Sequence, residues 1–108
     1  MTYGKRRRDR RMRWPCSVFS FTEQGIKNFR DSVDRSAAFE KACEQRGASV
    51  KGLYWCLGEH DIVGILEAPD DETATALLLE LGSLGNVRSK TMRAFDRDEM
   101  VGILSKTS

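Results

Sequence analysis

"ASVKGLYWCLGEHDIVGILEAPDD", residues 48–71, decides the fold. Two runs rich in β-branched and aromatic residues, 48–57 and 61–68, flank Gly58, Glu59 and His60. Runs of that length and content read as strands, and a short glycine-containing connection between them reads as a β-hairpin. Pro69 ends the second strand because it lacks the N–H that a ladder needs. Asp70 then caps a helix, and Asp71 and Glu72 stand in its first turn, where the positive end of the helix dipole favours acids.

The pattern extends in both directions. Residues 16–22, "CSVFSFT", form a first strand, and Thr22 opens a helix as its cap. Ile26, Phe29, Val33, Ser36, Phe39 and Cys43 recur in steps of three and four, which predicts one buried helical face. Gly47 stops that helix, while Gly25 and the pair Asp31-Ser32 weaken its first half and predict a break near residue 32. Downstream, Ala74, Leu77, Leu78 and Leu81 form the buried stripe of the second helix, closed by Gly82. Residues 86–95 are the last strand, and 96–104 form a short terminal helix capped by Asp96. The order β-α-β-β-α-β is the α+β, ferredoxin-like arrangement of an antiparallel sheet with two helices on one face.

Strand alternation carries the reading further. Val50, Gly52, Tyr54 and Cys56 fall on one face of their strand, and Lys51, Leu53, Trp55 and Leu57 on the other. The next strand divides into Ile62, Gly64 and Leu66 against Val63 and Ile65. Both faces are largely apolar, yet two helices cover one. An antiparallel sheet with one face in water shows polar residues there. The second face is therefore expected to be buried against a second copy of the chain, giving a homodimer, or a higher homo-oligomer, closed sheet to sheet.

The chain has 108 residues, enough for one small domain, with 40% hydrophobic and 31% charged residues, as in an ordinary soluble globular protein. Its net charge of +2 hides a division. Residues 1–15 carry seven bases, from Lys5 to Arg13, against Asp9; residues 16–108 carry eleven bases against fifteen acids, or −4. Residues 1–15 are expected to be a disordered basic extension, and 16–104 the folded domain. As an arm, Lys5–Arg13 suits nucleic acid; the bland alternative, a solubilising tail, is favoured because no aromatic residues interleave for base stacking. Cys16, Cys43 and Cys56 contain no paired spacing, so no disulfide framework and no metal site is expected, and each is read as a small buried hydrophobe. No stretch approaches the roughly 20 apolar residues of a membrane helix, and a cytoplasmic location is expected.

Four stretches in order, "FTEQGIKNFRDS" (21–32), "GEHD" (58–61), "EAPDDETA" (67–74) and "GSLGNVRSKTMRAF" (82–95), resemble the GYD domain family. That family is named for a Gly-x-Tyr-Asp signature and belongs to the dimeric α/β barrel group of ferredoxin-like folds. The resemblance covers about 16–96 and implies the fold and the dimer. His60 stands where the signature has tyrosine, and Val33 where the family commonly has proline. Proteins with this dimeric barrel include cofactor-independent monooxygenases, haem-degrading enzymes, lactone isomerases and ligand-sensing regulator modules. No cofactor is implied.

Candidate site residues begin with His60, the single histidine. Imidazole is the usual proton-transfer side chain near neutral pH, so His60 is the candidate catalytic acid or base. Asp61 follows it, but adjacent strand residues point to opposite faces, which makes Asp61 a turn acid accepting backbone N–H groups. Tyr54, Trp55, Phe19 and Phe21 are candidates for the wall of a pocket for a flat organic ligand, with core or interface packing as the commoner fate. Gly52 and Gly64 leave room beside them. Ser83, Asn86 and Arg88 of "GSLGNVR" are further candidate ligand contacts, although its glycines follow a helix instead of opening one, unlike a phosphate cradle. The expected function is binding of a small organic molecule in a sheet–helix cleft of a homodimer. The alternatives are an enzyme of monooxygenase or isomerase type that uses His60, and a non-catalytic assembly or interaction protein.

Overall fold

A computed structural model describes residues 14–108; the basic segment Lys5–Arg13 and the expectation of disorder there lie outside the described residues. Four strands, β1 (Trp14–Phe21), β2 (Ser49–Trp55), β3 (Ile62–Glu67) and β4 (Val87–Ala94), form one antiparallel sheet in the order β2-β3-β1-β4. Helices α2 (Ser32–Gln45) and α3 (Asp71–Ser83) follow β1 and β3, and α4 (Arg97–Leu104) ends the chain. This is the ferredoxin-like α+β arrangement.

β1 starts at Trp14, earlier than its composition suggests, and takes in Pro15. Proline is tolerated in this central strand because β3 pairs only with Cys16–Phe19, so β4 alone flanks Pro15, opposite Arg93. The hairpin is also looser than expected. β2 ends at Trp55 and β3 begins at Ile62, which leaves a six-residue connection, closed by a 2.7 Å bond from Cys56 N–H to the Asp61 carbonyl. Gly58 takes a φ of 130°, open to glycine and strained for other residues.

The helix after β1 breaks into α1 (Glu23–Lys27), a 3-10 turn at Phe29–Asp31, and α2. The break needs no proline at Val33. Asn28 Nδ2 donates to the Gln24 carbonyl (2.9 Å), and Arg35 Nη1 donates to the Asn28 carbonyl (2.9 Å), so local partners satisfy the groups that a continuous helix would use. The consequence corrects the predicted stripe. Phe39 and Cys43 pack in the core, whereas Ile26, Phe29 and Val33 are 51%, 51% and 63% exposed.

Capping agrees with the sequence. The Thr22 hydroxyl accepts from Gly25 N–H (3.0 Å), the Asp70 carboxylate from Thr73 N–H (2.7 Å), and Asp96 forms a capping box with Glu99 (2.8 and 2.9 Å). Gly82, in contrast, lies inside α3; the left-handed turn after that helix belongs to Gly85, with φ 86°.

Two apolar clusters join the helices to one face of the sheet. Cys43, Ala48, Leu66, Ala68, Ala74 and Leu77 form the first, and Phe19, Ile62 and Val87 the second, with Leu53, Leu78 and Leu81 packed against it. Ser17 is the buried polar residue of this face, and its hydroxyl shares a 2.8 Å hydrogen bond with Thr91. A register shift between Val50 and Gly52 alters the simple alternation of β2. Val50 pairs with Leu66 and packs on the helix-side core, while Gly52 and Tyr54 pair with Ile65 and Val63 on the opposite face.

Candidate functional site

The opposite face of the sheet carries Cys16 and Val18 from β1, Val63 and Ile65 from β3, Tyr54 from β2 and Met92 from β4. Neither core cluster among the described residues includes any of these six. Val18 and Val63 are directly paired at its centre and half-buried; Tyr54 and Met92 stand 62% and 57% exposed. Toward the β4 edge the face turns polar, with Ser20 opposite Arg88 and Val18 opposite Lys90.

Asp61 locks the hairpin tip to β1. Its N–H donates to the Phe19 carbonyl (2.9 Å), and its Oδ2 accepts from Phe21 N–H (2.7 Å). The carboxylate thus serves the backbone, as the turn reading of the sequence expects, and does not orient the neighbouring imidazole. His60 Nδ1 is buried with no hydrogen-bond partner among the described residues. A buried polar atom without a partner is uncommon enough to require an account.

Two clefts flank α3. One, of about 420 Å3, lies between α3 and the sheet and is lined by Pro15, Ala74, Thr75, Leu78 and Thr91, with Asp71 and Arg93 among its charged residues. The other, of about 680 Å3, wraps the β4 edge, with His60, Ser20, Val18, Arg88 and Lys90 on the open side of the sheet and Leu78, Ser83 and Val87 on the helix side.

The residues singled out in the sequence therefore divide. His60, Ser83 and Arg88 share the larger cleft. Phe19 is 4% exposed and belongs to the core, so it forms no accessible wall. Tyr54 and Trp55 point to opposite faces of β2 and do not share a pocket. Asn86 has a structural place: its carbonyl accepts from Thr22 N–H (3.0 Å) and its side-chain oxygen from Gln24 Nε2 (3.0 Å). Sequence reasoning did not single out Ser20 and Lys90. Their alternation with Val18 and Arg88 was visible, but their meeting depends on the β1–β4 register.

The cysteines also differ from one another. Cys43 is fully buried, and loss of solvation, reinforced by Glu40 and Glu44 and opposed by Arg46, raises its thiol pKa to about 11. Cys16 is half-buried, and Cys56 is exposed, because β2 ends one residue before it. Among the described residues no cluster of three or more His, Cys, Asp or Glu side chains is placed to hold a metal, and no helix is long and apolar enough to cross a membrane.

A four-stranded antiparallel sheet with helices on one face and an apolar opposite face defines a ferredoxin-like α+β domain. The chain belongs to the GYD domain family, whose model matches residues 16–104. It is 27% identical over 86 residues to a Thermus thermophilus protein named glutamine synthetase and cystathionine beta-lyase binding protein, covering 79% of this chain and 90% of that one. The leucine response regulatory protein LrpA of Mycobacterium tuberculosis shares the fold with a TM-score of 0.58 at 15% identity, over 78% of this chain and 51% of that one. MtbAldR gives 0.57 at 13% identity, over 79% of this chain and 53% of that one. The chain thus spans about half the length of these two solved structures.

Proposed function

We propose that this protein is a homodimeric binding module, closed through the apolar sheet faces, that holds a small organic molecule in a cleft beside α3. The observation that carries the reading is the face formed by Cys16, Val18, Tyr54, Val63, Ile65 and Met92, which no helix-side cluster among the described residues covers. An apolar surface of this kind normally belongs to an interface. Isologous pairing buries the same patch twice and needs no second gene product. Three unpaired cysteines support a cytoplasmic setting, where thiols stay reduced. Catalysis by His60 has less support, since the adjacent carboxylate is engaged by Phe21 N–H.

A second reading rests on a different surface. Ile26, Phe29 and Val33 form an exposed apolar stripe across the α1–α2 break. Together with the name of the Thermus thermophilus relative, that stripe supports the docking of another folded protein on the helical side of the dimer.

Light scattering on the purified protein tests the dimer. The native protein is expected at twice the 12.2 kDa chain mass. Val63→Glu, which buries a charge between Val18 and Tyr54 in the paired face, is expected to yield a folded monomer. A native monomer at tens of micromolar would refute the reading.

A further inference from the structure

The larger cleft carries a charge pattern that narrows its ligand. We propose that the His60, Ser20, Arg88 and Lys90 cleft is the recognition site for a small organic anion with an apolar body. The proposal rests on the small-molecule reading above but not on the dimer.

Arg88 and Lys90 occupy alternate positions of β4, so their side chains project on one face about 7 Å apart along the strand. No carboxylate lines this cleft, and neither cation has a carboxylate partner among the described residues. Elsewhere the chain does pair its bases across the fold, as in Arg46–Glu80 (2.6 Å) and Lys51–Glu67 (3.4 Å). Ser20 stands directly opposite Arg88 and adds a hydroxyl. Asp61 pins the hairpin tip beside Ser20 by its bonds to Phe19 and Phe21, which brings His60 to the cleft with Nδ1 buried and unpartnered.

One feature opposes an anion: the carbonyl end of α3 lies at Ser83. Its effect is small, because a helix end contributes about half a charge of the wrong sign against two full cations. The protein also covers the chain that follows that end. Gln24 Nε2 donates to the Leu84 carbonyl (3.1 Å), and the Thr22 hydroxyl donates to the Gly85 carbonyl (2.5 Å). The Ser83 hydroxyl itself donates to the Glu80 carbonyl (2.7 Å) and is left as an acceptor. Donors to the anion therefore come from Arg88, Lys90 and Ser20. Around the β4 edge, Leu78 and Val87 line the helix side of the same cleft and provide the apolar contact that a bare inorganic ion would not use.

Amide-resolved NMR titration with phenylacetate and its neutral isostere phenylacetamide separates the possibilities. Phenylacetate is expected to shift the amides of Ser20, His60, Ser83 and Arg88 and to bind at least about tenfold more tightly than the amide, the difference expected of charge-assisted hydrogen bonds. In Arg88→Gln/Lys90→Gln that preference is expected to disappear, while Arg93→Gln retains it. Equal binding of the two compounds at these residues would overturn the anionic assignment and leave the small-molecule reading standing. Shifts confined to Thr75 and Thr91 would move the ligand to the smaller cleft and overturn the site. No binding of either compound up to about 10 mM, beyond the millimolar Kd of a weak fragment, would overturn this proposal together with the small-molecule reading.

Discussion

Gly25→Ala tests how the start of the helical layer is held to the last strand. Gly25 is buried, and a Cβ there would meet the Asn86 carbonyl oxygen well inside van der Waals contact, with the carbonyl carbon at 2.8 Å and Cα at 3.2 Å. Both partners are backbone, so no rotamer change relieves the clash. The φ of Gly25 is not positive, so the demand is for space and not for conformation. Relief requires α1 to lift from the 84–86 turn. That movement strains or breaks the bonds Thr22 N–H to Asn86 O (3.0 Å) and Thr22 Oγ1 to Gly85 O (2.5 Å). Overpacking costs about 1–3 kcal/mol, and two lost hydrogen bonds cost about 1 kcal/mol each. The better helix propensity of alanine returns about 1 kcal/mol, leaving a net loss of about 2–4 kcal/mol. With a urea m-value of roughly 2 kcal/mol/M, the middle of the range for small proteins, the unfolding midpoint is expected to fall by about 1–2 M. Gly82→Ala is the matched control. Nothing lies within 4 Å of its added Cβ and it sits inside α3, so a gain of about 0.5–1 kcal/mol is expected. A Gly25→Ala midpoint equal to that of the native protein would refute the close approach of α1 to Asn86.

Two further expectations follow from single groups. Asp61→Ala removes the acceptor of Phe21 N–H and is expected to cost about 1–3 kcal/mol in urea unfolding, whereas Asp61→Asn, which keeps an acceptor oxygen, costs less than about 1; equal losses would mean that the bond is not the source. The Cys43 thiol, raised from 9.0 to about 11 in the folded state, stabilises the fold fully below pH 9. That contribution is lost as pH rises through about 11, so stability should decline over this window in the native protein and less in Cys43→Ala. Alkylation at pH 8 followed by peptide mapping should modify exposed Cys56 and spare Cys43 until urea is added; early labelling of Cys43 would contradict its burial.

The elements were legible because the signals behind them are local. Thr22, Asp70 and Asp96 cap helices through N–H groups three residues on, and Pro69 and Gly47 act where they stand. The last strand of 86–95 and the helix of 96–104 came within a residue or two of Val87–Ala94 and Arg97–Leu104. Errors arose where the outcome depends on distant chain. The apolar run Ile26, Phe29, Val33 reads as one buried helical face with a break near residue 32, but at the break between α1 and α2 Asn28 and Arg35 make their own hydrogen bonds, and the three side chains are left exposed. Phe19 read as a candidate pocket wall, with core or interface packing as the commoner fate. Its pairing with Ile62 and its packing near Leu78 and Leu81 decided for core.

The chain by itself therefore determined the order of strands and helices and their caps, because each is set by neighbours a few residues away. The tertiary structure alone decided which face each side chain serves. The shift between Val50 and Gly52 turns Val50 toward the helices, and the β1–β4 register brings Ser20 and Val18 beside Arg88 and Lys90, while the Asp61 bonds to β1 bring His60 to the same cleft. Strand alternation has a period of two, so one displaced residue exchanges the faces, and only pairing across the sheet fixes which one is displaced.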